Sequence, residues 1–358
     1  MADEIKNIVK VACIYATSII GAGFATGQEI MQFFSVYKTG GFYGILLAGL
    51  LFSVVGSIVL GSVYNGRIRN YEEFIFPVFG WLIGWIIEIT VTLFMLCLFC
   101  VMIAGSGSVL SDRIGIPPEF AVPLMGLISM LFIFTNIKGV VTLSTLVTPI
   151  LIIGIILASL AIIFFGVTEV FSISGYLKTI TGNWLFSSLL YVSYNSLLSI
   201  VIMCSLLPYL KTKRIARMGG VLGGIVLCFA ALVVNAVVFL FYPVAFEMEM
   251  PIFAILKGFS SSAGNLYAVI LWLAMLTSAV TSGFCLTDRV GTMLKLDRKF
   301  IVPILCIASV PLSMMGFSKL ITTLYPIFGY LGIFIVFTII INGLVRLQNS
   351  KSGKCGRK

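Results

Sequence analysis

The chain has 358 residues, of which 60% are hydrophobic and 10% charged. Soluble globular proteins carry about 25% charged residues, so this composition excludes an ordinary soluble protein and indicates a membrane protein. The net charge of +10 comes from 23 Lys and Arg against 13 Asp and Glu, and the chain has no histidine. Histidine metal sites, Ser-His triads and histidine proton relays are therefore excluded.

Ten apolar runs follow one another along the chain, separated by short polar or Gly/Pro segments. A membrane-spanning helix needs about 20 apolar residues, and most of the runs have this length. The runs, called spans 1 to 10 below, cover residues 6–36, 41–66, 78–110, 119–136, 139–166, 183–210, 215–242, 265–290, 299–315 and 319–346. The sequence predicts an all-α membrane protein of ten transmembrane helices in a single domain. It leaves no room for a soluble enzyme domain.

The basic residues orient these spans. With a cytoplasmic N-terminus, all but five of the 23 Lys and Arg residues fall in cytoplasmic segments, as the positive-inside rule requires. We therefore expect a multi-pass protein of the bacterial plasma membrane with both termini in the cytoplasm. Residues 347–358 form a basic cytoplasmic tail. The positive charge thus indicates the lipid bilayer as a partner rather than nucleic acid, and the oligomeric state stays open.

Span 1 is interrupted by the segment from Ser18 to Phe24, which contains Gly21 and Gly23. Glycine permits unwound backbone, and unwinding at membrane depth is tolerated where the freed groups face protein or a watery cavity. Half-helix ends at such a break make ready sites for ions and polar solutes. The alternative is that the two glycines only allow close helix packing.

Span 6 carries a similar polar interruption, Tyr191-Val192-Ser193-Tyr194-Asn195-Ser196. Two interrupted spans that lie five spans apart along the chain are typical of an inverted-repeat transporter with its site at the midplane of the membrane. We therefore predict a 5+5 inverted repeat, residues 1–166 and 167–346, with helices 1 and 6 broken at the midplane.

Span 8 places Ser278, Thr281 and Ser282 on one helix face, at positions i, i+3 and i+4. Hydroxyl and carbonyl oxygens are ligands for hard cations. The alternative is that these hydroxyls bond back to their own helix.

Two acids, Glu29 and Glu88, lie inside predicted spans and away from the span ends. A charged acid near the bilayer centre costs about 2.5–3.5 kcal/mol, so each should be paired, protonated or facing a cavity. Glu29 is placed on the outer half of span 1, where it can face a vestibule or cap a gate. Glu88 has three candidate roles, namely proton carrier, counter-charge for a cationic substrate, or hydrogen-bond partner, and no Lys or Arg is expected in a span core. For both, a structural, hydrogen-bonded acid is the alternative.

The stretch from Ile20 to Glu29, Ile-Gly-Ala-Gly-Phe-Ala-Thr-Gly-Gln-Glu, with Gln32-Phe33-Phe34 after it, resembles the YkvI family of bacterial membrane proteins. More distantly, the chain is similar to the amino acid-polyamine-organocation superfamily, which has the LeuT-type fold. The resemblance departs from that superfamily at Gln28 and Glu29, where many amino-acid transporters carry proline or apolar residues.

The resemblance implies a secondary transporter that works by alternating access, in symport of an amino acid-like, amine or other small zwitterionic or cationic solute. It implies that the protein needs no cofactor. The coupling ion is expected to be sodium or, alternatively, the proton. The implied substrate site consists of Ser18, Gly21, Ala22, Gly23, Tyr191, Ser193, Tyr194 and Asn195. The implied sodium site consists of the carbonyls of Thr17 and Ile20 with Ser278, Thr281 and Ser282. Glu29 and Glu88 are the candidate residues for coupling or gating. The alternative function is a ligand-sensing membrane subunit of the germinant-receptor type, without net transport.

Overall fold

Helices make up almost all of the computed structural model, which describes residues 2–134, 137–165, 182–242 and 244–351. Within these ranges there are thirteen α-helices. They are α1 Ala2–Thr17, α2 Ala22–Ala25, α3 Gln28–Phe33, α4 Thr39–Gly66, α5 Tyr71–Ile114, α6 Pro118–Ile133, α7 Ile137–Phe165, α8 Trp184–Ser205, α9 Lys213–Leu240, α10 Pro251–Phe259, α11 Ser261–Leu294, α12 Arg298–Ser313 and α13 Phe317–Lys351. The prediction of an all-α protein is confirmed.

The helices are those of a membrane protein. Among the described residues, six helices are long and apolar enough to cross a bilayer, namely α4, α5, α8, α9, α11 and α13. Two shorter apolar stretches are α6 and the part of α7 from Ile150 to Phe164. Large apolar side chains such as Phe164, Trp81 and Ile307 are exposed on the outside of the bundle, which is where a bilayer replaces water. Each of the ten predicted spans overlaps one helix or, for span 1, a series of three. The count of ten crossings stays a prediction.

The predicted interruption of span 1 is present, and it is followed by a second one. Helix α1 ends at Thr17, and the next helix, α2, has only four residues. The chain then turns at Gly27, whose φ of 83° is a left-handed conformation that favours glycine, before α3 begins. Span 1 is therefore three short helices rather than two half-helices.

The predicted break in span 6 is wrong, because α8 is continuous from Trp184 to Ser205. This segment contains no glycine or proline, the residues that usually interrupt a helix. Two of the polar side chains in the predicted interruption bond back to the preceding turn of the helix. The amide of Asn195 donates to the carbonyl of Tyr191 at 3.0 Å, and the hydroxyl of Ser196 donates to that of Val192 at 2.7 Å.

Helices α4 and α9 pack so closely that their backbones touch. A Cβ atom added at Gly220 would lie 2.3 Å from the carbonyl carbon of Gly56, and one at Gly224 would lie 2.4 Å from the amide nitrogen of Ser53. Small residues allow this close approach. In a bilayer the hydrophobic effect does not drive helices together, so close backbone contact of this kind contributes to their association.

We expect Gly220→Ala to lower the free energy of unfolding by about 1–3 kcal/mol, since the new methyl group meets rigid backbone of α4. Gly61→Ala in α4 is the matched control, because its Cβ would contact only the Arg217 side chain at 3.9 Å. That control should be neutral or stabilising by about 0.5–1 kcal/mol. Thermal unfolding of purified protein measures both. Equal effects of the two substitutions would contradict the packing argument.

Helix α5 contains a kink where the apolar run of span 3 begins. It starts at Tyr71 rather than at residue 78 and bends at Gly80, whose φ is 77°, shortly after Pro77. The predicted boundary between the repeats, at 166/167, lies outside the described residues, as do residues 352–358 of the predicted tail, while α13 continues to Lys351.

Candidate functional site

Glu29 lies at the centre of the molecule, in the first turn of α3. The turn at Gly27 directs its side chain back against α2, so that a Cβ atom at Gly23 would lie 2.1 Å from Glu29 Oε1. The residue is 4% exposed, and the hydroxyl of Tyr194 in α8 donates to Glu29 Oε2 at 2.8 Å. The carboxylate therefore joins the interruption of span 1 to span 6. Of the roles expected for Glu29, a buried, hydrogen-bonded acid agrees with this position, whereas a side chain that faces an open vestibule does not.

Aromatic rings surround this carboxylate and its tyrosine partner. The ring of Tyr194 lies 4.8 Å from that of Tyr325, 5.3 Å from that of Phe33 and 5.5 Å from that of Tyr191, measured between centroids. Phe94 of α5 closes the group at 6.1 Å from Tyr194. We call these five residues, Phe33, Phe94, Tyr191, Tyr194 and Tyr325, the aromatic cluster. Four spans, 1, 3, 6 and 10, contribute to it.

The aromatic cluster contains polar atoms without partners. The hydroxyl oxygens of Tyr191 and Tyr325 are buried and have no hydrogen-bond partner in the described part of the protein. A buried hydroxyl without a partner costs about 1–3 kcal/mol, and such groups are rare in folded proteins. Both rings pack against Tyr194, the hydrogen-bond donor to Glu29, so these two hydroxyls indicate a place where a polar ligand completes the hydrogen bonding.

The second interruption of span 1 is held by three other helices. Tyr267 of α11 donates its hydroxyl to the carbonyl of Ala25 at 2.7 Å, and the backbone amide of Ile252 in α10 donates to the carbonyl of Thr26 at 3.1 Å. Gln28 donates its side-chain amide to Ser318 at 2.7 Å. The carbonyls released by the break are thus satisfied by α10 and α11, and α10 closes the site from this end.

The structure brings together only part of the predicted substrate site. Gly23, Tyr191 and Tyr194 lie beside Glu29, and Ala22 is buried next to them in α2. Gly21 has open space on its Cβ side. Three other predicted residues are engaged elsewhere. Ser193 packs against Gly332 of α13, the amide of Asn195 bonds within α8, and the hydroxyl of Ser18 donates to the carbonyl of Tyr15 at 2.7 Å.

The predicted sodium ligands lie on two separate elements, the first interruption of span 1 and helix α11. Their carbonyl and hydroxyl oxygens are suitable ligands for a hard cation. Within the described residues, no hydrogen bond reaches the carbonyls of Thr17 and Ile20 in the first break. In α11, the hydroxyl of Thr281 donates to the carbonyl of Thr277, and that of Ser282 donates to the carbonyl of Ser278, both at 2.8 Å. A hydroxyl that donates within its helix keeps its lone pairs, so these two hydroxyls remain able to coordinate a cation.

The expectation that no cation reaches Glu88 is wrong. Arg289 of α11 forms a salt bridge with Glu88 of α5, and the two side chains are 15% and 9% exposed. The guanidinium carbon of Arg289 also lies 5.0 Å from the centre of the Tyr71 ring. Arg289 is close to the end of its span. Its long side chain reaches back along the helix to Glu88. The span boundaries alone do not predict this contact. Glu88 therefore has a cation as its partner, whereas Glu29 forms no ion pair among the described residues.

Sequence reasoning missed Phe33, Phe94 and Tyr325 as neighbours of the carboxylate. All three lie in apolar runs where an aromatic residue is ordinary. A signal existed for Phe33 alone, because it lies four residues after Glu29 and shares its helix face.

Comparison with known proteins supports the resemblance. No protein-family model matches the chain. The uncharacterized membrane protein YkvI of Bacillus subtilis is 26% identical, covering 90% of this chain and 92% of its own length. The protein YyaD of the same organism is 28% identical, covering 90% and 93%.

Solved structures match over most of the chain at low identity. A mutant of the Eremococcus coleocola manganese transporter gives a TM-score of 0.61 at 14% identity, covering 98% of this chain and 88% of that one. A Na⁺-coupled sialic acid symporter gives 0.57 at 14%, covering 94% and 78%. The inward-facing conformation of Mhp1 gives 0.56 at 14%, covering 93% and 75%. Together, these matches show that the chain is similar over 90% of its length to the YkvI and YyaD proteins and has the LeuT-type fold of these solved transporters.

Proposed function

We propose that the protein is a secondary active transporter that moves a small organic solute across the bacterial plasma membrane by alternating access. The observation that carries the proposal is the buried carboxylate of Glu29. It lies at the interruption of span 1, its hydrogen-bond donor is Tyr194 of span 6, and unpartnered polar atoms lie around it. A buried polar centre at an interrupted helix, within a bundle of this fold, is the arrangement of a transport site.

The proposed solute site is closed on both sides. Glu29 and Tyr194 are 4% and 1% exposed, so neither face of the membrane gives direct access. Alternating access then requires α2 and α3 to move away from Tyr267 and Ser318, and α10 to release the carbonyl of Thr26, since these hydrogen bonds hold the elements together here. The interruptions at residues 18–21 and at Gly27 are the positions where the backbone can change direction without breaking a longer helix.

For coupling, we propose sodium, held by the carbonyls of Thr17 and Ile20 with the hydroxyls of Ser278, Thr281 and Ser282. The ligands are all neutral oxygens, which suits a monovalent hard cation better than a transition metal. Among the described residues there is no cluster of three His, Cys, Asp or Glu side chains that a transition metal would require.

Solute counterflow in proteoliposomes tests the proposal. Preloaded solute should drive uptake of labelled solute, and sodium should increase the rate. We expect Thr281→Val and Ser282→Ala each to abolish the sodium effect, whereas Ser309→Ala should keep it, since that buried hydroxyl bonds to Cys306 in α12. Binding without counterflow would instead favour a ligand-sensing membrane subunit. Counterflow that is indifferent to sodium would overturn the coupling ion and leave the transporter.

A further inference from the structure

We propose that the site selects an organic monocation, an amine or quaternary ammonium without a carboxylate, and that Glu29 is its counter-charge. This inference rests on the proposed function, because it names the solute class of the same site.

The first step is the charge balance of the site. Within the described part of the chain, Glu29 belongs to no ion pair, and the Tyr194 hydroxyl is its one hydrogen-bond donor. The buried polar residues include Glu29 and Glu88 but no Lys or Arg. A buried, ionised carboxylate needs a compensating charge, and here Glu88 already has one in Arg289. No other side chain in the described part of the chain is available to balance an ionised Glu29, and an organic cation bound beside it would do so.

The second step is the lining of the site. Aromatic ring faces attract cations, most strongly where water is excluded. The rings of Tyr191, Tyr194 and Tyr325 are fully buried around the carboxylate. The unpartnered oxygens of Tyr191 and Tyr325 can accept N–H groups of an ammonium. A small apolar cavity adjoins Tyr191 and is bounded by Phe24, Phe34 and Phe52. The hydrocarbon part of such a ligand would have to enlarge it.

The third step is the absence of a place for a carboxylate on the ligand. Helix α2 has four residues, too few to provide a useful helix dipole, and its Gly23 is covered by the Glu29 carboxylate. A second carboxylate would therefore meet the first one without an offsetting cation among the described residues. At close range in a dry site this repulsion is large. An amino acid is thus a poorer ligand than the amine that has the same side chain.

Matched ligand pairs test the inference on the purified full-length protein. The pairs are phenethylamine with phenylalanine, isoamylamine with leucine, and choline with glycine betaine, measured by thermal shift and by counterflow at neutral pH. We expect at least one cation to raise the unfolding temperature and to bind at least tenfold more tightly than its zwitterionic counterpart. Tighter binding of the zwitterions, or binding of no cation, would overturn the inference.

The residue test uses Glu29→Gln, which keeps the shape and removes the charge. Affinity for the favoured cation should fall at least tenfold, while Asp112→Asn, at an exposed pair with Lys257, should leave it unchanged. Unchanged cation affinity in a folded Glu29→Gln protein would contradict the role of Glu29. Counterflow of amino acids but not amines would overturn the solute class and keep the transporter. Cation binding without counterflow would keep the class and overturn transport.

Discussion

Arg289→Leu should lower the free energy of unfolding by about 3–5 kcal/mol, the effect expected when one partner of a buried ion pair is removed. The substitution leaves the Glu88 carboxylate, 9% exposed, without its cation in the interior of the bundle. It also removes the guanidinium from the face of Tyr71. The ion pair joins α5 to α11, two helices that are long and apolar enough to cross a bilayer.

The double variant Glu88→Leu/Arg289→Leu distinguishes a charge effect from lost packing. Two apolar residues of similar volume can replace a buried ion pair with little loss, so the double variant should recover most of the stability. Asp112→Asn is the exposed control and should change stability by less than about 1 kcal/mol. Thermal unfolding in detergent or nanodiscs gives the comparison. If the double variant were no more stable than Arg289→Leu alone, the unpaired charge of Glu88 would not be the cause of the lost stability.

Gly23→Ala should abolish solute uptake while the protein still folds. The new methyl carbon would lie 2.1 Å from Oε1, 2.7 Å from Cδ and 2.8 Å from Cγ of Glu29, which is too close for any of the three. The glutamate must therefore rotate away and lose its hydrogen bond from Tyr194. We expect a destabilisation of about 1–3 kcal/mol, as for an extra methyl group in a packed core.

A second substitution shows whether this steric contact is the cause. Glu29→Asp shortens the side chain by one methylene, so adding it to Gly23→Ala should restore stability without restoring uptake. Gly258→Ala is the control, since its Cβ would have no neighbour within 4 Å and it lies outside the site. Uptake assays and thermal unfolding are measured together. Full uptake in the Gly23→Ala single variant would mean that Glu29 does not need its observed position.

The sequence predicted the fold and the first break well, because both depend on strong local signals. A run of about 20 apolar residues has few alternatives to a membrane helix, and Gly21 with Gly23 marks backbone freedom. The break in span 6 was predicted from polar residues alone. Ser and Asn can satisfy themselves on the preceding helical turn, as Asn195 and Ser196 do, so polarity without glycine or proline does not interrupt a helix.

The site was harder to predict than the helices. The position of Glu29 depends on the left-handed turn at Gly27, which reverses the direction that an unbroken helix would give it. The pairing of Glu88 with Arg289 joins residues 201 positions apart in the chain. Helix periodicity carries no information on contacts at such a separation, and boundary errors of two to four residues decide whether Arg289 counts as buried.

The continuity of α8 has a consequence for how specificity can evolve. In an unbroken helix the backbone groups are used internally, so span 6 contributes to the site through side chains such as Tyr191 and Tyr194. Span 1 also offers main-chain groups at its interruptions, which every residue type shares. Point mutations can therefore diversify the span 6 wall readily, whereas the main-chain part of the span 1 wall is inherited almost unchanged. Divergence in solute choice among related chains should accumulate on α8.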